Sequence, residues 1–111
     1  YSADLTDANL NVADLTNADL RYADLDGANL NSADLTNADF QDADLADADL
    51  NYADLTNADF QDADLAYATL SEADLKFAKF SGATVTYANF DDTYWHETMW
   101  TDGVRYDTNQ A

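Results

Sequence analysis

The sequence predicts an all-β fold, a four-sided solenoid whose coils each take four five-residue units, with about 4.5–5 coils in the chain. Three observations predict it. An Ala-x-Leu/Phe beat returns every five residues. The stretch ADLTNADFQDADLA occurs at residues 33–46 and again, letter for letter, at 53–66. Aromatic residues recur in a column at a spacing of 20 residues.

The beat comes first. With each pentad numbered from its large apolar residue, i, alanine fills i−2 at eighteen consecutive beats from Ala3 to Ala88. Leu, Phe or Val fills i at the same beats, from Leu5 to Phe90. Position i−1 is Asp or Asn except at Thr69, Lys79 and Thr84. An α-helix turns ~500° in five residues, so successive leucines would scatter around it instead of forming a stripe. A straight strand alternates its faces with period two, so an odd repeat would send Leu5 and Leu10 to opposite sides. Only a chain that turns a corner in every pentad keeps each Leu inward. Four right-angle corners close a square.

The 20-residue columns support that lap. Thr-Asn recurs at 16–17, 36–37 and 56–57, and Gln-Asp at 41–42 and 61–62. On one side the large residues form a core ladder, Leu20, Phe40, Phe60, Phe80 and Trp100, while Leu15, Leu35, Leu55 and Leu75 line another. Rings of like size should fill the same slot in each coil and stack with an offset. At ~4.8 Å per coil the rod should be ~24 Å long, plugged by Ala and Leu, with no pore and no pocket.

These pentads resemble the pentapeptide-repeat family, written A(D/N)LXX, over about residues 2–92. The resemblance implies a right-handed quadrilateral β-helix with i and i−2 pointing inward. It divides the chain into a pentapeptide-repeat β-helix at 1–92 and a degenerate final coil with a C-terminal capping tail at 93–111. In the tail, Trp95 and Trp100 still fall on beat i, while Thr93 and Thr98 replace alanine. Trp95, Trp100 and Tyr106 are the expected cap, with Tyr94, Met99 and Val104 also folding over the end. Cyanobacterial-type members often end in a similar W-x-(D/E)-G-hydrophobic tail, here Trp100, Asp102, Gly103 and Val104. Thr101 stands where those members usually carry proline. The N-terminal end, with Tyr1 and Ser2 ahead of Leu5, has no comparable cap, so missing residues cover it or two rods meet there. Opening in mid-repeat without Met, the chain reads as a processed form or a piece of something longer.

Composition narrows the function. The chain has 111 residues, a net charge of −19 and no cysteine, which excludes disulfides and thiolate metal sites. No apolar run approaches the ~18 residues a membrane span needs. The expected location is soluble: cytoplasm, or periplasm or thylakoid lumen if a signal peptide has been removed. The single histidine, His96, has no partner at a catalytic spacing, and Gly27, Gly82 and Gly103 lie too far apart to cradle a phosphate. Neither an enzyme nor a cofactor is expected.

Charge is the other signal. Twelve of the 23 acidic residues sit at i−1. The lap stacks them as Asp4, Asp24, Asp44 and Asp64; Asp14, Asp34, Asp54 and Asp74; and Asp19, Asp39 and Asp59, the last ending at Lys79. The fourth column, Asn9, Asn29, Asp49, Thr69 and Asn89, is nearly uncharged. The columns read first as a solubilising coat whose side chains also satisfy backbone N–H groups. A second reading is an acidic DNA mimic that binds DNA gyrase or another DNA-binding protein, as some family members do. Duplex DNA carries a charge per ~1.7 Å, about 14 over a ~24 Å rod, and a side of at most ~17 Å is of duplex order. Tight cation binding lacks the six to eight oxygen ligands that Ca²⁺ takes. Tyr67 and Tyr87, one lap apart at i+2, form a candidate partner patch or a cross-strand stabilising pair, with Tyr22, Tyr52 and Phe77 elsewhere. The expectation is a non-enzymatic structural or protein-interaction rod, monomeric or an end-to-end homodimer, that binds no nucleic acid directly.

Overall fold

The computed structural model describes residues 2–111; Tyr1, which precedes the first coil in the sequence, lies outside them. Each i−1 residue bridges in parallel to the residue 20 further on, from Asp4 with Asp24 through Asp59 with Lys79 to Lys79 with Met99. The lap is therefore four pentads. The walls are thinner than stacked strands, because each is a single bridged residue between two turns. Among the described residues, regular strands occur only near the C-terminus, where β1 (Thr98–Met99) pairs antiparallel with β2 (Arg105–Tyr106).

One hydrogen-bond pattern recurs at the corners from Leu25 to Phe80. The N–H of residue i donates to the carbonyl 19 residues on, as Leu25 does to Asp44 at 2.7 Å. The N–H of i−1 donates back to the i−2 carbonyl of the preceding coil, as Asp44 does to Ala23 at 2.9 Å. Within the corner the N–H of i+3 returns to the carbonyl of i, as Ala28 does to Leu25 at 2.9 Å. That closure needs a positive φ at i+2, the geometry of a type II turn.

Every i+2 residue from Asp7 to Glu97 has it, and only Gly27 and Gly82 among them are glycines. Asp and Asn tolerate this region, but a β-branched residue there is an outlier. Val12, at φ 62 and 68% exposed, meets that cost without burying its side chain. Val12→Asn should raise stability by about 1 kcal/mol, measured by urea denaturation. A lower midpoint would mean that the corner stores no such strain.

Inside, the Ala and Leu or Phe positions from Ala23 to Phe80 are buried. Phe40, Phe60 and Phe80 stack nearly flat, with centroids 4.7 and 4.9 Å apart and interplanar angles of 2° and 5°. Flat stacking stops there. Trp100 tilts 56° from Phe80 and meets Phe90 edge-on, so the end is closed by rings turned across the axis.

The tail differs from the expectation in two residues. Trp95 is buried and Trp100 and Tyr106 pack against the core, but Tyr94 and Val104 are 60% and 50% exposed. Tyr94 falls on i−1, bridged to Asp74, and that position faces outward in every coil. The chain extends 32 × 26 × 24 Å, broader than a ~17 Å side because side chains stand out from the walls.

Candidate interaction surface

The outward columns begin with a backbone need. The N–H of i+1 points out of the corner, and no neighbouring carbonyl reaches it. Every Asp or Asn at i−1 takes it up through Oδ1, as Asp44 does from Ala46 at 3.0 Å and Asn29 from Asn31 at 3.0 Å. Where Thr69 lacks the reach, Asn51 of the preceding coil serves Ser71 instead at 2.8 Å. Asn meets this need as well as Asp does, so the corner does not require the charge.

A paired substitution separates the two contributions. Asp44→Ala leaves the Ala46 N–H uncapped and should cost about 1 kcal/mol, as loss of a helix cap does. Asp44→Asn should be neutral or stabilising, because the bond stays and the repulsion from Asp24 and Asp64 goes. Equal losses in the two variants, read from urea midpoints, would mean that the carboxylate itself is needed.

Local partners shift the pKa of some of these carboxylates. Hydroxyl bonds from Thr6 and Thr36, followed by the corner amides, hold Asp4 and Asp34 below the usual carboxylate value. The Arg21 guanidinium, bonded to Asp19 at 2.7 and 2.8 Å, holds that carboxyl down to about 2. Asp26 is pushed up, first by desolvation and then by the nearby Asp44, Asp47, Asp24 and Asp7. The third column is partly neutralised by Arg21, which also lies 3.7 Å from Asp39. Lys79 faces Asp59 across a bridge but makes no ion pair among the described residues.

His96 is exposed, with Nδ1 3.4 Å from Asp107 and its ring edge-on to Phe77. No group of His and carboxylate side chains among the described residues is placed to hold a metal ion. A shallow recess of about 530 Å³ lies beside Ser2, Ala3, Leu20 and Tyr22, which corrects the expectation of no pocket at all. Leu5, Leu10 and Leu15 of the first coil are partly buried and pack against the core.

Tyr67 and Tyr87 stack with centroids 5.3 Å apart and are 57% and 77% exposed. Tyr22 and Tyr52 stand singly at other corners, while Phe77 is half-buried against His96. Sequence reasoning missed the surroundings of the pair. Thr84 interrupts the first Asp column beside Tyr87, Thr69 and Asn89 lie across the corner, and Ala66 and Thr86 fill i+1. The signal was legible, since Thr69 and Thr84 are two of the three breaks in the i−1 pattern.

A filled solenoid of five-residue units with ordered polar columns on its outside defines a class of repeat protein. The chain belongs to the pentapeptide repeat family: the Pentapeptide repeats profile matches residues 1–37, 23–62 and 58–94, in 8 copies. It is similar to a pentapeptide repeat protein of the Arabidopsis thaliana thylakoid lumen, at 31% identity and TM-score 0.71, covering 95% of this chain and 70% of that one. A pentapeptide repeat protein from Nostoc matches at 31% identity and TM-score 0.57, over 91% of this chain and 77% of that one. QnrB1, a plasmid-mediated fluoroquinolone resistance protein, aligns at 18% identity and TM-score 0.46 over 94% of this chain and 75% of that one. At that level nothing of its activity passes to this chain. No curated protein matches. No helix among the described residues is long and apolar enough to cross a membrane.

Proposed function

We propose that this chain is a non-enzymatic protein-interaction rod, a right-handed quadrilateral β-helix in the sense the family resemblance implies, whose acidic walls select basic surfaces on a partner. One observation carries the reading. The corners bind Asn29 and Asp44 through the same Oδ1 at the same 3.0 Å, so twelve carboxylates at i−1 exceed what the fold needs. Charge beyond structural need, held in fixed columns, acts on whatever approaches from outside, steering basic partners and repelling acidic ones. Direct association with nucleic acid is opposed by the sign of the charge.

Gyrase-catalysed DNA supercoiling, titrated with the protein at low and high salt, tests this against DNA mimicry. Supercoiling that proceeds unaltered, with gyrase active in both salts, is the expected result. Salt-sensitive inhibition at micromolar protein or below would replace this reading with mimicry and make the Asp columns the surface that gyrase recognises.

A further inference from the structure

The last complete coil is paired by the final turn on two sides. Along the other two, the N–H groups of Phe90 and Asp92 and the carbonyl of Ala88, like their counterparts at Val85, Tyr87 and Ala83, have no hydrogen-bond partner among the described residues. The N–H groups of Leu75, Phe77, Phe80 and Gly82 all donate to the final turn, at Tyr94, His96, Met99 and Thr101. The chain then leaves the spiral. Trp100 donates to the Val104 carbonyl at 2.9 Å, and β2 folds back on β1, so no sixth coil follows the pentads at 83–87. Farther along, Asn109 reaches the Phe90 carbonyl and Thr93, so the tail touches that corner. Between these two contacts the N–H groups of Val85 and Tyr87 and the carbonyl of Ala83 have no hydrogen-bond partner among the described residues. Their counterparts one coil earlier, Leu65, Tyr67 and Ala63, are all paired, to Thr84, Thr86 and Thr84.

This edge coincides with the break in charge. Thr84 stands in the column of Asp24, Asp44 and Asp64, and the stacked Tyr67 and Tyr87 rise beside it. Exposed Asp91 and Asp92 follow on the same coil, and Asp64 lies one coil back. An unpaired β edge takes up an added strand, and pockets or platforms beside it set which side chains the strand carries.

We infer that the Ala83–Tyr87 edge and the Tyr67–Tyr87 platform form a docking site for an extended basic segment of a partner protein. The segment adds one rung to that open side, lays an apolar or aromatic side chain on the tyrosines and sets Lys or Arg against the flanking carboxylates. Charge decides between occupants. A second copy of this chain would bring its own −19 to the same rim, whereas a basic strand meets complementary charge. The inference rests on the interaction-rod reading and names the place and chemistry of the partner.

The test uses the whole chain and an end-blocked octapeptide of alternating lysine and valine. Its control has the same sequence with every backbone nitrogen methylated, which keeps the charge and removes the strand edge. The expected result is slowed hydrogen exchange at the Val85 and Tyr87 amides on binding. Affinity should fall roughly tenfold or more with the methylated peptide, and again in the Tyr67→Ser/Tyr87→Ser double variant. Both tyrosines are largely exposed, so the variant keeps its core. Equal binding of both peptides, without protection at Val85 and Tyr87, would place the cation on the Asp columns and overturn the docking edge while leaving the interaction rod standing. No binding at low salt would overturn the edge as well. The rod reading fails separately, in the supercoiling assay.

Discussion

Phe60→Ala lowers the unfolding free energy by about 3–5 kcal/mol, the largest loss expected from any single truncation in this chain. Phe60 is wholly buried and lies between Phe40 and Phe80, at 4.7 and 4.9 Å. Truncation removes the transfer free energy of the ring, opens a cavity and breaks two stacked pairs, each worth ~0.5–1.5 kcal/mol beyond burial. The neighbours cannot collapse into the gap, because their backbones are held a coil apart by the bridges Asp39 to Asp59 and Asp59 to Lys79. Phe60→Leu should cost markedly less, since leucine fills the other three sides at this level. Urea denaturation of the three proteins checks the order. A loss under ~1 kcal/mol in the alanine variant would show that the ring column does not support the core.

Sodium chloride raises the stability of the fold, by about 1–3 kcal/mol between roughly 0.01 and 1 M. The cause is the eight Asp-to-Asp bridges across coils, such as Asp24 with Asp44 and Asp34 with Asp54. Unit charges ~4.8 Å apart repel by ~0.9 kcal/mol in water. Over that salt range the Debye length shrinks from ~30 to ~3 Å, so most of this repulsion is screened. The unfolded chain carries the same charges farther apart and gains less, which fixes the sign. Replacing Asp24, Asp44 and Asp64 by Asn should flatten the slope while keeping the corners capped. A melting temperature that does not move with salt in the parent protein would count against repulsion along the columns.

Much of this was legible because the period is strict. The 20-residue lap, the inward Ala and Leu, and the alignment of Phe40 with Phe60 and Phe80 all follow from counting in fives. The left-handed corner was not. Position i+2 holds Val12, Tyr22, Phe77 and Tyr87, side chains that announce no positive φ, and the cost is met by hydrogen bonds to the neighbouring coil. Tyr94 could have been placed by the same counting, since it sits at i−1, but its size suggested a lid. The neutral corner was written in Thr69 and Thr84. The open edge beside it was not, because it depends on where the hairpin leaves the spiral, and a periodic pattern carries no mark of its own end.

The bridge of every wall residue to the one 20 places on also constrains how such a gene can change. Loss of one codon would shift every pairing that spans it, setting aspartates beside phenylalanines over a full lap of the rod. Addition or loss of a whole coil disturbs nothing but length. The identical stretches at 33–46 and 53–66 have the form that such a duplication leaves. This rod can lengthen by copying, and its surface can then diverge at i+1 and i+2 while the interior stays in step.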